Sequence, residues 1–539
     1  MKSIAALSLA VAAQAASFTT ETIHGDAAPI LSSIDADQIP DSYIIKFKDH
    51  VDNSAADNHH TWVQAFHEQK PAEDQYLELR KRGLTDDLFG KAFGGLKHQF
   101  AIGEGFKGYA GHFHPDVIEQ IRNHPDVEYI ERDTIVHTML PIDVQDSVTE
   151  DKCDGETEKQ APWGLARVSH RDTLGFGTFN KYLYAEDAGE GVDAYVIDTG
   201  TNTEHVDFED RAHWGATIPS GDADEDGNGH GTHCSGTIAG KKYGVAKKAN
   251  IYAVKVLRSN GSGSMADVVA GVDWAAKSHE KQVKAAKDGK RKGFKGSVAN
   301  MSLGGGKTSA LDAAVNAAVQ AGVHFAVAAG NDNADACKYS PAAAELPLTV
   351  GASDLNDDRA YFSNYGKCTD IFGPGVSIQS TWIGSPYAIN TISGTSMASP
   401  HLAGLLAYYL SLQPAGDSEY AVAEITPKEL KKSLISVATE GALSGLPDSA
   451  TPNLLAWNGG GCSNFSKIME AGSYKVERAP STMKKVGAVI EDDIEIVQEK
   501  IAEGFHHFEH FEEKAAKLSE KVRVAVDEEL NKFIAELNI

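Results

Sequence analysis

Between Ala161 and about Gly461 the chain alternates short, unbroken apolar runs with helical stretches. Ala194-Tyr195-Val196-Ile197, Ile251-Tyr252-Ala253-Val254 and Val323-His324-Phe325-Ala326-Val327-Ala328 are representative runs. Strands without polar alternation are buried on both faces, and the intervening helices supply the cover, so this pattern predicts an α/β layer fold around a mainly parallel sheet. The part before it is patterned differently. From Asp41 to about His137, a strand at Tyr43-Ile44-Ile45-Lys46-Phe47 is followed by a polar helical stretch and strand-like runs around Phe100 and Tyr109. A helix near Val117 to Arg122 and a strand at Val127-Glu128-Tyr129-Ile130 complete it. That order predicts a small α+β unit with helices on one face of an antiparallel sheet. Thr426-Pro427-Lys428-Glu429 forms a capping box with proline at the first helical position, which predicts a helix start that closes the α/β unit. Beyond Cys462 the chain is strongly charged, with Ile490, Ile494, Val497, Ile501, Phe505 and Phe508 three or four apart and the spacing continuing to Val526. That periodicity predicts one long amphipathic helix.

Length and charge narrow the reading. At 539 residues the chain exceeds what one core usually supports. Its net charge of -26 opposes contact with nucleic-acid phosphates or anionic lipid, so neither is expected as a partner. Lys2, the apolar run from Ile4 to Ala13 and the small residues of Ala13-Gln14-Ala15-Ala16 have the chemistry of a secretory signal. A buried helix start is the competing reading, disfavoured by its place at Met1. No later apolar stretch reaches the roughly 20 residues of a membrane span. A lumenal or extracellular product is therefore expected, where its five cysteines can form disulfides. The acidic, apolar-poor stretch from Met139 to Gln160 reads as a linker.

Four segments carry the parts of a nucleophilic hydrolase: a nucleophile, a base, a group that orients the base, and donors for an oxyanion. In Val196-Ile197-Asp198-Thr199-Gly200, an acid directly follows a buried strand, where reacting groups of parallel α/β sheets gather. Gly227-Asn228-Gly229-His230-Gly231-Thr232-His233-Cys234 lets the backbone turn sharply into a helix with His230 near its start. Ser393-Gly394-Thr395-Ser396-Met397 feeds an apolar helix through Leu405 and Tyr408, so Ser396 lies where an N–H and the helix dipole can hold a negative oxygen. Ala328-Ala329-Gly330-Asn331 ends another buried strand with a side-chain amide, a second oxyanion donor.

These motifs, in the order Asp, His, Ser, resemble the subtilisin-like serine proteases; α/β-hydrolases and chymotrypsin-like enzymes run in other orders. The resemblance is dense from Ala161 to Gly461 and includes APWGLARVSH, GNGHGTHCSGTIAG, NMSLGGG, AAGNDNADAC and SGTSMASPH. It is closest to the proteinase K group, and FNKYLY, VLRSNGSGSM, YFSNYGKC and TPNLLAWNGGG resemble the fungal vacuolar subtilases of the cerevisin type. The resemblance implies a three-layer subtilisin-like fold preceded by a ferredoxin-like propeptide domain, with Asp198, His230 and Ser396 as triad and Asn331 at the oxyanion. It places Ser302, Leu303, Gly304, Ala328, Ala329 and Gly330 in the walls of the specificity pocket. Gly261, Ser262 and Gly263 fall at the edge of the extended cleft. A substrate would add there as an extra strand, held by main-chain hydrogen bonds with little demand on sequence. No carboxylate lies in these walls, so an apolar or aromatic side chain before the scissile bond is expected rather than a basic one.

The expected division is a signal peptide at 1–16, an inhibitory propeptide at 41–138, a linker with the processing site at 139–160, a catalytic domain at 161–461 and a removable extension at 462–539. The function implied is a secretory-pathway zymogen of a broad-specificity serine endopeptidase. The propeptide would act as intramolecular inhibitor and chaperone, protein and peptide substrates are expected, and the chain is expected to act as a monomer. The vacuolar lumen is preferred over the medium on the cerevisin resemblance. The alternative is a non-catalytic binding protein on the same scaffold. Two other chemistries are set aside. Asp198-Thr199-Gly200 also marks aspartic proteases, but no second such acid motif occurs. His506-His507-Phe508-Glu509-His510 fits a metalloprotease pattern but lies in the charged terminal helix.

His233 and His401 read as packed or surface residues, and Cys234 as a small buried group under the imidazole. The resemblance implies a Cys337–Cys368 disulfide; whether Cys153 and Cys462 pair stays open. Of the sequons, Asn300 should be buried and bare, while Asn260 and Asn464 can carry sugar if exposed. No cofactor is required for the chemistry. Asp370 matches a calcium-binding carboxylate of the proteinase K group, although the sequence around the backbone ligands at Glu345 and Pro347 differs, so a structural calcium ion is the one ion admitted.

Overall fold

The computed structural model describes residues 18–21, 27–33, 38–68, 95–103, 105–138, 155–175, 177–419 and 425–476. The expected signal sequence at 1–16, Cys153 and the stretch at 490–526 expected to be an amphipathic helix lie outside them.

The first unit is built as its pattern predicts. Strands Gln38–Phe47, Gly95–Ile102, Phe106–His112 and Val127–Thr138 and helices Asn53–Glu68 and Pro115–Arg122 follow the expected order. The sheet runs Phe18–Glu21, Ile30–Ser33, Val127–Thr138, Gln38–Phe47, Phe106–His112, Gly95–Ile102, with every neighbour antiparallel except Ile30–Ser33 against Val127–Thr138, which is parallel. Ile45, Phe47, Val63, Tyr109, Val117 and Ile121 form a core between sheet and helices. The last strand is much longer than its apolar stretch. It continues through Thr134–Thr138, leaves the sheet, and pairs with two strands more than a hundred residues away.

In the second unit seven parallel strands lie in the order Ala212–Thr217, Asn250–Lys255, Val192–Asp198, Gly296–Met301, His324–Ala328, Leu348–Ser353, Ile371–Pro374. Every residue of Val192–Asp198 and of His324–Ala328 is buried, which is why these runs show no alternation. Helices His230–Ala239 and Thr395–Ser411 pack on one face. Helices Met265–Lys287 and Ser309–Gln320 pack on the other. The layers are therefore helix, sheet, helix. The capping box at Thr426 is formed in both directions, with Thr426 accepting from the Glu429 N–H and Glu429 from the Thr426 N–H.

The first unit rests on the second. Ile44, Phe100, Ile102, Phe106, Ala110 and Val136 are buried in one core with the helices Met265–Lys287 and Ser309–Gln320. Two carboxylates of the first unit also cap those helices. Glu131 accepts from Ser309 N at 2.9 Å and Ala310 N at 2.6 Å. Asp133 accepts from Ala266 N at 3.0 Å and from Ser42 Oγ at 2.9 Å. Each satisfies N–H groups that a first helical turn leaves unpaired.

Strands Phe18–Glu21 and Ile30–Ser33, ahead of the expected start at 41, join the sheet of the first unit, and two later boundaries shift as well. Glu156–Lys159, read as the end of the linker, forms a strand against Lys181–Tyr184. Past 461, Asn464 caps a helix Phe465–Ala471 that buries Ile468, and Tyr474–Lys475 pairs with Thr439–Glu440, so the α/β body continues to at least 475. Too few apolar residues lie in either segment for their tertiary partners to be read in advance. No described helix is long and apolar enough to cross a membrane.

Candidate active site

The strand Val192–Asp198 delivers Asp198 to its carboxyl end, fully buried. Beside it the helix His230–Ala239 begins, with Gly229 at φ 100° as its N-cap. Gly231 has a reason of its own: a Cβ there would stand 2.2 Å from the Gly200 carbonyl oxygen, so only glycine lets the helix start touch the strand end. The contact brings His230 Nδ1 to 2.8 Å from Asp198 Oδ1 and 3.0 Å from Oδ2. With Nδ1–H donating to a carboxylate, the lone pair is left on Nε2. That nitrogen is buried and has no hydrogen-bond partner among the described residues.

Ser396 is the second residue of the helix Thr395–Ser411, and its Oγ donates to the carbonyl of Ser302 at 2.9 Å. The expected bond from Ser396 to His230 is therefore not made in this conformation. Such catalytic contacts commonly tighten only when substrate is bound. The Ser396 carbonyl is held in turn by Ser302 Oγ at 2.8 Å and Cys234 Sγ at 3.4 Å. Cys234 Sγ lies within 4.8 Å of ligand atoms of both Asp198 and His230, as expected of a group beneath the imidazole. Burial, with Asp198 nearby, pushes its thiol well above the ordinary range, so it stays neutral and does not compete as a nucleophile.

Asn331 is fixed by Thr395, whose N–H and Oγ–H donate to Asn331 Oδ1 at 2.9 Å and 2.7 Å. The other end of the amide, Nδ2, is buried without a partner among the described residues. An unpaired buried donor beside a serine at a helix N-terminus is the arrangement a developing oxyanion requires.

The extended cleft is occupied. Ile135–His137 pairs antiparallel with Ser262–Ser264, and His137 and Thr138 pair with Gly304 and Leu303 on the other side. The end of the first unit is thus the middle strand between the two edges assigned to substrate. Gly261 turns the chain into the first edge at φ 79°. Ala328, Ala329 and Gly330 are buried behind the serine turn, the Gly330 N–H donating to Thr395 Oγ1 at 3.2 Å.

Asp226 is a functional residue that the motifs did not reveal. Its carboxylate accepts from Thr199 Oγ1 (2.9 Å), Asn228 N (3.0 Å), Gly229 N (2.9 Å), Thr232 N (3.0 Å) and Thr232 Oγ1 (2.6 Å). Thr199 Oγ1 accepts from Gly231 N at 2.9 Å, so one carboxylate locks the end of the Asp198 strand to the start of the His230 helix. The only local signal is its place directly before Gly227-Asn228-Gly229-His230.

Other expected residues are placed as follows. His233 and His401 are buried, each with a ring nitrogen donating to a carbonyl, of Ile378 and Met397 respectively, and burial lowers them to about 3 and about 4. Both stay neutral and are packing residues. Cys337 and Cys368 form a disulfide with Cα atoms 5.2 Å apart, behind Asn331. Asn300 Nδ2 is buried and donates to Ser302 Oγ at 2.9 Å, while Asn260 and Asn464 are exposed. Asp370 Oδ2 meets Lys431 Nζ at 2.7 Å.

The chain matches two family models and several known proteins. Residues 189–455 match the subtilase family, and residues 42–139 match peptidase inhibitor I9. Subtilisin-like proteinase Spm1 of Pyricularia oryzae is 64% identical over 547 residues, covering 100% of each chain. Subtilisin-like serine protease Pen c 2 of Penicillium citrinum is 68% identical over 479 residues, 88% of this chain and 100% of its own. Alkaline protease 2 of Aspergillus fumigatus is 66% identical, over 88% of this chain and 92% of its own. A solved cold adapted subtilisin-like serine proteinase aligns with 43% identity and a TM-score of 0.48, over 56% of this chain and 99% of that one.

Proposed function

Since this chain belongs to the subtilase family of serine peptidases and carries an I9 propeptide, we propose that it is a self-processing zymogen in which Ser396, His230 and Asp198 cut peptide bonds. A substrate strand lies between Ser262–Ser264 and Leu303–Gly306. Ser396 Oγ attacks the carbonyl carbon as His230 Nε2 takes its proton, and Asp198 holds the resulting imidazolium. The oxyanion is received by Asn331 Nδ2 and the Ser396 N–H. Collapse of the tetrahedral species breaks the C–N bond, the leaving amine takes the proton from Nε2, and water repeats the sequence on the acyl-enzyme.

The observation that carries this reading is the course of the strand Val127–Thr138, which runs as a substrate would between the two edges toward Ser302. It also suggests the maturation region. Thr138, the last described residue of this strand, pairs with Leu303, the neighbour of Ser302, whose carbonyl takes the Ser396 hydroxyl. We assign the cut to the linker that follows, within residues 139–160.

The finer readings are proposals of the same kind. Broad specificity follows from main-chain recognition at the glycine-rich edges. Membership of the proteinase K group and the cerevisin type rests on the motifs quoted above. The secretory route rests on the N-terminal signal, and a vacuolar destination only on the cerevisin resemblance. The direct test is to express the full chain and its Ser396→Ala variant and to sequence the new N-terminus. The wild type should hydrolyse unfolded protein and begin within residues 139–160, while the variant stays full length. A variant that matures in isolation would remove Ser396 from its role. A mature N-terminus elsewhere would overturn only the assigned region.

A further inference from the structure

Calcium sites are common among subtilases, and Asp370 is the residue at which this chain is expected to hold one. The surroundings of Asp370 contain a different cation. Lys431 Nζ lies 2.7 Å from Asp370 Oδ2 and donates to the Pro347 carbonyl at 2.7 Å and the Glu345 carbonyl at 3.4 Å. An ammonium has three N–H donors, and these are three acceptors. They are also the carboxylate and the two carbonyl-bearing residues that the resemblance offers to calcium.

We infer that the Lys431 ammonium replaces calcium at Asp370, so that this locus is held by an internal cation and takes up no divalent ion. Calcium would have to approach Asp370 Oδ2 and the Pro347 carbonyl to about 2.3–2.6 Å. That puts it on the space of a nitrogen 2.7 Å from both, against like charge. Binding would first require the ammonium to withdraw from its acceptors.

The position of Lys431 is not accidental to its helix. The capping box at Thr426 fixes where the helix Pro427–Ser436 starts, and burial of Leu430 and Leu434 fixes its rotation. Lys431, next to Leu430, then projects toward the loop before Leu348–Ser353. Asp370 is tied to that same strand, its N–H donating to the Thr349 carbonyl at 2.9 Å and its Oδ2 accepting from Thr349 N at 2.8 Å. The strand Leu348–Ser353 supports the pocket wall, since the Ala329 N–H donates to Val350 O at 2.9 Å. A monovalent side chain thus does what an exchangeable ion would do: it joins a late helix to the strand behind the substrate pocket.

The test uses the full chain carrying Ser396→Ala, so that self-digestion does not intervene, and reads thermal unfolding in a chelator and in millimolar calcium chloride. The quantity of interest is the part of any calcium-induced Tm shift that Asp370→Asn removes. The inference requires it to be zero, and requires Lys431→Met to lower Tm in chelator by a few degrees. A calcium-induced rise in the parent that Asp370→Asn abolishes would overturn it, as would a Lys431→Met chain as stable as its parent. Should Lys431→Met fail to fold, the parent and Asp370→Asn comparison decides alone. Neither readout depends on turnover, so the result is independent of the peptidase reading.

Discussion

At the scale of single residues, the site is a set of small differences in where protons and lone pairs sit. Asn331 Oδ1 accepts from Thr395, and Nδ2 has no partner among the described residues. Asn331→Ala should therefore lower kcat with little change in KM, measured on a peptide substrate. The size of the loss is carried over from the oxyanion asparagine of subtilisin, a member of this family, where it is about 100- to 1000-fold. The bonds of Asp226 go to Thr199 and to the turn around His230, which places it to act through His230. Asp226→Asn puts an amide where five donors converge, and buried bonds to a charged group are worth about 1.5–3 kcal/mol each. The variant should lose both stability and kcat, with Tm and kcat/KM measured together. An unchanged kcat would show that the loop holds His230 without it. An imidazole must be neutral to accept a proton, so kcat/KM should rise from acid toward neutral pH. A sharp optimum near pH 3 would contradict His230 as base.

At the scale of elements, the units meet through carboxylates set on helix starts. Burial pushes Glu131 from its ordinary 4.5 up to about 7, and Asp133 from 3.8 to about 6. A carboxylate whose pKa is raised on folding stabilises the folded form fully below its ordinary pKa, and that contribution is lost as pH rises through the raised value. The Glu131 contribution should therefore fade between pH 4.5 and about 7. In the unprocessed Ser396→Ala chain, Glu131→Gln should flatten the change of Tm with pH across that window. A slope identical to that of the parent would show that Glu131 does not titrate there. Legibility differed at this scale for physical reasons. The buried strands and the Thr426 capping box were readable because their determinants are local. The extension of the last propeptide strand to Thr138 was not, because Thr134–Thr138 is polar and pairs with residues far along the chain. Asp226 sits in Asp222-Ala223-Asp224-Glu225-Asp226, which reads as a solvated acidic run; only the fold turns one member inward. Lys431 likewise reads as a surface lysine until its helix is docked.

At the scale of the whole molecule, the first unit occupies the cleft that the second would use on other proteins. The strand Val127–Thr138 fills the path between Ser262–Ser264 and Leu303–Gly306, as an inhibitor would. The Asp, His and Ser motifs were legible together because each lies at a strand end or helix start with its own glycines. What sequence did not reveal is their momentary state, with the Ser396 hydroxyl on Ser302 and the His230 Nε2 without a partner among the described residues. The account claims that substrate, or a substrate-like reagent, finds an activated serine there. Labelling with a fluorophosphonate, followed by peptide mapping, tests that claim most directly. The mature wild type should carry one adduct, on Ser396, and His230→Ala should carry almost none. An unlabelled mature protein, or label of equal extent in His230→Ala, would contradict it.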